Sequence, residues 1–295
     1  MGSTTGAANS RPHGVVVGVD GSPPSRVATD WAARDAALRG VPLTVVHVLP
    51  SNANGAWVDL PMSGQFAVER ERRGKAVIDD AIGLVRDAIG ATPDVEVDHR
   101  ILTGATVSSL VDLSEGAELI VVGCRGLGGV KGLLLGSVSS GLVHHAHCPV
   151  AVIHDEDPLM DHPATAPVAV GIDGSPASEL ATEIAFDEAD RRGVGLLAVH
   201  TWTGTGDSGV REGGARAEEE LARRVAGWNE RYPDVVVQRI VGPGNPARRL
   251  LEESERAQLL VVGSRGLGGF AGMLLGSVSS AVAQASRMPV IIARR

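Results

Sequence analysis

The sequence is short of several things that would announce a function. It holds two cysteines, Cys124 and Cys148, neither in a CxxC pair nor beside a patterned histidine cluster. A disulfide scaffold and a cysteine-built zinc site are thereby disfavoured. Aromatic residues make up 3% of the chain, too few for a platform that stacks single-stranded bases. Lys+Arg number 27 against 35 Asp+Glu, for a formal net charge of −8, so the basic footprint of a nucleic-acid binder is missing. No apolar run approaches the ~20 residues of a membrane-spanning helix. The first residues, MGSTTGAANSRPHG, are small and polar, with no apolar signal region. They read as a disordered lead over residues 1–13, and the protein as cytoplasmic. Only Lys75 and Lys131 are lysines, and neither stands in a GxxxxGK[ST] loop. A GxGxxG after the first strand is also absent, which disfavours a site of the NAD type.

What the chain does have is glycine, 38 in 295 residues, and an ordinary globular balance of 43% hydrophobic and 21% charged residues. Its length suits about two domains of about 150 residues. The sequence is in fact written twice. VVVGVDGSPPS from Val15 recurs as VAVGIDGSPAS from Val168, an offset of 153 that His47 and His200 share. VVGCRGLGG from Val121 recurs as VVGSRGLGG from Val261, at an offset of 140 that the GSVSS segments keep. Between Glu118 and Ser140, 17 of 23 positions equal their partners. The second copy therefore loses a net 13 residues after His200. A period this long marks a duplicated domain rather than a solenoid. The expected division is a first domain over 14–154, a Pro- and Asp-rich linker over 155–166 and a second domain over 167–295.

Within each copy, strand and helix signals alternate. Gly14 to Val19 is a buried-strand run. Ser22-Pro23 and Ser175-Pro176 read as an N-cap followed by proline at the first helical position. Val27, Trp31 and Leu38 give a helical spacing that Gly40 ends. The alternation predicts two α/β domains, each a doubly wound five-stranded parallel sheet in the order 3-2-1-4-5. In such a sheet a ligand binds at the carboxyl ends of the strands, where the winding reverses. There the Asp20-Gly21-Ser22 turn would meet the glycine loop Gly123-Cys124-Arg125-Gly126-Leu127-Gly128-Gly129. The last strands, Pro149 to Ile153 and Pro289 to Ile292, are apolar edges. They are expected to pair with each other, antiparallel.

The chemistry lies in Gly123-x2-Gly126-x9-Gly136-Ser137, repeated as Gly263-x2-Gly266-x9-Gly276-Ser277. Glycines permit positive φ and let main-chain N–H groups approach an anion. Ser137 opens a helix whose free N–H groups favour phosphate, and the hydroxyls of Ser137 and Ser139 could add donors. Arg125 and Arg265 either clamp phosphate or point to solvent. Cys124 becomes Ser264 in the second copy, so no thiol is required there. Asp20 and Asp173 suit a ribose hydroxyl or a divalent cation, and equally an Asx turn into the helix. His144, His145 and His147 read as a solvated or packed helix end, because Gln284, Ala285 and Arg287 replace them in the second copy.

The motif, the Asp ending the first strand and the βα order together resemble the universal stress protein family, in its tandem ATP-binding form. The resemblance implies a Rossmann-like fold of the adenine nucleotide alpha hydrolase-like kind, one ATP per domain with Mg2+ or Mn2+ as its companion, and a role in stress response or growth arrest. It also implies intramolecular domain pairing and leaves open a homodimer and a regulatory protein partner. By motif position, Gly18 and Asp20 would lie near the adenosine and ribose, and Gly123, Gly126, Gly136, Ser137 and Val138 would line the phosphates. Their counterparts are Gly171, Asp173, Gly263, Gly266, Gly276, Ser277 and Val278. The intervening Ser264, Arg265, Leu267, Gly268 and Gly269, and the following Ser139 and Ser279, complete the expected cofactor-binding set. No general base recurs at matching positions, so any ATP hydrolysis should be slow. The competing functions are a slow ATPase or phosphotransferase, an interaction scaffold with structural ATP, and an adenylate- or flavin-binding relative.

Overall fold

The computed structural model describes residues 13–50, 64–90, 95–127, 135–154, 163–202, 207–268 and 274–295. The first copy runs β1 (Val15–Gly18), α1 (Pro23–Arg39), β2 (Leu43–Pro50), α2 (Gly64–Ile89), β3 (Val97–Gly104), α3 (Thr106–Ser114), β4 (Leu119–Gly123), α4 (Ser137–His145) and β5 (Val150–Ile153). The second repeats it as β6 (Val168–Gly171), α5 (Pro176–Arg192), β7 (Leu196–Trp202), α6 (Asp207–Arg231), β8 (Val237–Pro243), α7 (Pro246–Ser254), β9 (Leu259–Gly263), α8 (Ser277–Ala285) and β10 (Val290–Ala293). The shortening of the second copy falls mainly between β7 and α6. The lead before His13 and most of the linker lie outside the described residues. Pro163–Thr165 forms a single 3-10 turn. Among the described residues, no helix is long and apolar enough to cross a membrane.

The ten strands of the described residues form one sheet in the order β3-β2-β1-β4-β5-β10-β9-β6-β7-β8. Each half has the expected order, and its neighbouring strands pair in parallel. β5 and β10 join the halves antiparallel, with Ala151 opposite Ile291. The two apolar edges that each copy would expose alone thereby satisfy one another. Alternate residues of each strand enter two cores, one on each face. Val15, Val17, Ala151, Ile153, Ile291 and Ala293 face α1, α2, α5 and α6. Val16, Val150, Val152, Val290 and Ile292 face α3, α4, α7 and α8. Strands buried on both faces read as unbroken apolar runs for this reason.

The N-caps are as the sequence indicates: Ser22 Oγ accepts from Ser25 N–H and Ser175 Oγ from Ser178 N–H. Gly40 and Gly193 end their helices in the left-handed conformation. The apolar spacing in α1 needs correction, however. Val27 and Leu38 are 41% and 43% exposed, while Ala28, Ala32, Ala33 and Ala36 are fully buried. The helix sits over the central strands, and small side chains let it approach them closely. The inward face is therefore marked mainly by alanine, with Trp31 packed at its margin and Val27 and Leu38 outside it.

Sequence periodicity also gives no sign of a charge cluster where α1 meets α5. Asp35 and Arg39 face Glu188 and Arg192, their counterparts at the offset of 153. Arg39 pairs with Asp35 at 2.6 Å and with Glu188, and Arg192 pairs with Asp35 and Glu188, each at 2.9 Å. Both carboxylates are 1% exposed. Burial, then the charge of Glu188, pushes Asp35 up to about 6 against the pull of the two arginines. Burial acts the same way on Glu188, but Arg39 and Arg192 outweigh it and hold that carboxyl below its ordinary value. Removing one partner of a buried ionic group leaves a charge uncompensated, whereas replacing the whole group with apolar side chains is often neutral. Arg192→Met should therefore cost about 3–5 kcal/mol in urea unfolding. Replacing all four residues by apolar ones of similar volume should recover most of that loss.

Candidate functional site

Each half carries a cavity at the carboxyl ends of its central strands, where the order reverses. The first has a volume of about 490 Å³ and the second about 440 Å³. Gly18, Asp20, Gly123, Arg125, Gly126, Leu127, Gly136, Ser137, Val138 and Ser139 line the first. Gly171, Asp173, Gly263, Arg265, Gly266, Leu267, Gly268, Gly276, Ser277, Val278 and Ser279 line the second. Gly128, Gly129 and Gly269 lie outside the described residues. Cys124 is fully buried in the core and does not line the cavity; neither does Ser264.

The position of Asp20 follows from its contacts. Oδ1 accepts Ser22 N–H at 2.9 Å, closing an Asx turn into α1. Oδ2 accepts Leu127 N–H at 2.9 Å and so ties the end of β1 to the glycine loop. Asp173 repeats both bonds, to Ser175 at 2.9 Å and to Leu267 at 3.0 Å. Burial raises the pKa of Asp20, but the bonds from Ser22, Leu127 and Ser25 outweigh it and hold the carboxyl below its usual value. The same causes act on Asp173 through Ser175, Leu267 and Ser178.

The glycines are needed for close approach. Positive φ occurs at Gly14, Gly21, Gly40, Gly90, Gly174, Gly193 and Gly244 among the described residues, and at none of the three motif positions of either copy. Of the two uses of glycine that the sequence allows, these motif positions show close approach and not positive φ. A Cβ on Gly123 would lie 2.7 Å from the Pro24 carbonyl carbon, and one on Gly126 would overlap Asp20 Oδ2. A Cβ on Gly263 would likewise lie 2.6 Å from the Ala177 carbonyl carbon, and one on Gly266 would overlap Asp173 Oδ2. The loops are drawn tightly onto the start of the first helix and the carboxylate.

Beyond each loop a helix begins without a side-chain cap. Gly136 and Gly276 are the extended N-cap residues of α4 and α8, and neither helix start has a side-chain hydrogen bond. The first-turn N–H groups have no intrahelical partner, and the residues that carry them, Ser137 to Ser139 and Ser277 to Ser279, line the cavities. Ser137 and Ser277 are exposed there. Ser139 is not a free donor: its Oγ donates to the Cys124 carbonyl at 2.9 Å. Ser279 Oγ donates to the Gly263 carbonyl at 2.5 Å. These serines brace the loop from below. Arg125 and Arg265 are exposed at the cavity wall, and Leu127 and Leu267 stand 75% and 72% exposed at the mouth. His144, at the far end of α4, uses Nδ1 on the Ser140 carbonyl at 2.6 Å.

Several wall residues escape the sequence reading. His47 Nδ1 donates to the Val19 carbonyl at 2.7 Å, and His200 to that of Ile172 at 2.7 Å. Each fixes the peptide just before the aspartate. Their shared offset was the available signal. Val46, Val48, Pro50, Thr106, Leu110 and Leu135 also line the first cavity. Val199, Thr201, Pro246 and Leu250 are among those that line the second. The apolar end of each cavity suits a flat ring, and the loop end suits an anion.

The profile of the universal stress protein family matches residues 13–154 and 165–294. A universal stress protein of Mycobacterium tuberculosis is 51% identical over 289 residues, covering 95% of this chain and 96% of its own. One from Mycolicibacterium smegmatis is 45% identical over 289 residues, covering 96% and 97%. The crystal structure of a universal stress protein from Archaeoglobus fulgidus superposes with a TM-score of 0.72 at 24% identity, covering 96% of each chain.

The aspartate bonds carry a pH dependence of definite sign. Both carboxyls titrate below their usual 3.8 when folded. Their stabilisation is complete above that value and is lost as pH falls through the folded pKa. Asp20→Asn with Asp173→Asn should remove this part of the acid sensitivity. Followed by circular dichroism, the stability gap between wild type and variant should narrow below about pH 4. A gap that stays constant from neutral pH to pH 2 would refute the assignment.

Proposed function

This chain belongs to the universal stress protein family, and on that footing we propose that it is a nucleotide-binding regulator holding one ATP in each domain. The observation that carries the reading is the pairing, in both cavities, of a tightly drawn glycine loop with an uncapped helix start. That pairing puts main-chain N–H donors and the positive end of a helix dipole at one point, which suits a polyphosphate. The cavity volumes fall within the range of small-molecule sites, about 300–1,000 Å³.

In this reading the glycine loops and the first turns of α4 and α8 bind the phosphates, with Ser137 and Ser277 as added donors. Arg125 and Arg265 counter the phosphate charge. Val46, Val48 and Leu110 hold the adenine by apolar contact, as Val199 and Leu250 do in the second cavity. Asp20 and Asp173 keep lone pairs for a ribose hydroxyl and are the carboxylates that would face an Mg2+ or Mn2+ carried by the phosphates. They are also the carboxylates that line the two cavities, and main-chain N–H groups already hold both of them. A carboxylate so held is a poor general base, which favours a binding role over turnover. Occupancy would change the surface around Leu127 and Leu267, the natural readout for a regulator of stress response or growth arrest. Cys124 and Cys148 are buried and outside any disulfide, which fits a reducing cytoplasm.

Titration calorimetry with ATP should give a stoichiometry near two per chain. Asp20→Ala with Gly126→Ala should reduce it to one, because the second loop keeps its own aspartate. No measurable heat, or one site in the wild type, would contradict the proposal.

A further inference from the structure

The two cavities are joined by a continuous path through one side chain that crosses the domain seam. The glycine loop of the second domain starts from β10: Ser264 N–H donates to the Ala293 carbonyl at 2.9 Å, and Gly276 N–H to the Ser264 carbonyl at 2.8 Å. The next residue, Arg294, reaches into the first domain. Its Nη1 donates to the Val143 carbonyl at 2.6 Å and lies 3.4 Å from that of Leu142. Both carbonyls belong to the last turn of α4, whose first residue, Ser137, lines the first cavity. One residue thus touches the carboxyl end of the helix whose amino end faces cavity one, while its own main chain follows the strand that anchors the loop of cavity two. The equivalent position in the first copy holds His154, so the two directions across the seam are not chemically alike.

We infer that Arg294 couples the two cavities, so that an anionic ligand in the second tightens binding in the first. The inference rests on the nucleotide reading of both sites. Burial, then the charge of Arg265, makes the charged form of Arg294 less favourable. Arg265 lines the second cavity. A polyphosphate there offsets the Arg265 charge and leaves the Arg294 cation free to hold the α4 carbonyls more strongly. A cation at the carboxyl end of a helix supports its dipole, and the amino end of α4 then favours phosphate in the first cavity. By linkage, occupancy of the first cavity tightens the second by the same factor.

Titration calorimetry of the full chain with ATP tests this. With the second cavity blocked by Gly266→Ala, the first should bind at least about 5-fold more weakly than in the fully loaded wild type, the lower end of ordinary coupling. Arg294→Gln should still bind two ATP, with the first cavity weakened as in Gly266→Ala. Adding Arg294→Gln to Gly266→Ala should weaken it no further. Arg294→Lys, which keeps the cation at the end of α4, should preserve part of the coupling. Two independent sites in the wild type, or full coupling in Arg294→Gln, would overturn the inference while leaving the nucleotide reading intact. If Arg294→Gln fails to fold, equal first-cavity affinities in wild type and Gly266→Ala would still overturn it. An absence of ATP binding in the wild type would defeat the nucleotide reading itself, and the coupling with it.

Discussion

Asp20 and Asp173 each hold two segments that are far apart in sequence. One oxygen closes the turn into the first helix, and the other accepts an N–H from the glycine loop about a hundred residues later. Much of each site depends on this carboxylate bridge. It leaves no room for a Cβ on Gly126 or Gly266. It draws the loop over the end of the first strand and brings the uncapped helix start to the same cavity. The histidines of β2 and β7 support it from behind by fixing the carbonyl of the preceding residue. Because charge strengthens a hydrogen bond to main-chain N–H, a carboxylate does this better than a neutral amide.

Duplication supplies the second structural constraint. A parallel five-stranded sheet of this order leaves an apolar edge at its fifth strand, and two such edges in one chain close against each other. The antiparallel β5–β10 pairing makes one ten-stranded sheet in which the strands of the two halves run in opposite directions. The buried quartet of Asp35, Arg39, Glu188 and Arg192 lies at the same junction. Its net charge is zero, and each carboxylate meets both guanidiniums. Such a group adds little net stability but penalises misregistered docking, since any shift leaves a buried charge unpaired.

The element order was legible because both faces of the sheet are covered and the inner strands read as apolar runs, while the outer β3 and β8 are only partly buried. The sheet order and the seam followed from topology and from the edge-strand argument. The glycine motif located the cavity. What the sequence concealed was the reason for the motif. Glycine is compatible with both positive φ and close approach, and only the placement of Pro24 and Asp20 distinguishes them. Ser139 likewise looks like a ligand donor until its bond to the Cys124 carbonyl is seen. The inward face of α1 was not legible because alanine contributes little to an apolar pattern yet fits best where a helix lies close to a sheet. The quartet was invisible because charged residues four apart on a helix ordinarily mark a solvated face.

The central claim is that each domain holds an adenine nucleotide. The most direct test is to purify the chain without added nucleotide, extract it with acid and identify the released small molecules by mass spectrometry. The account predicts ATP, approaching two molecules per chain. An extract that contains a flavin or another ligand in that amount, with no adenine nucleotide, would contradict it.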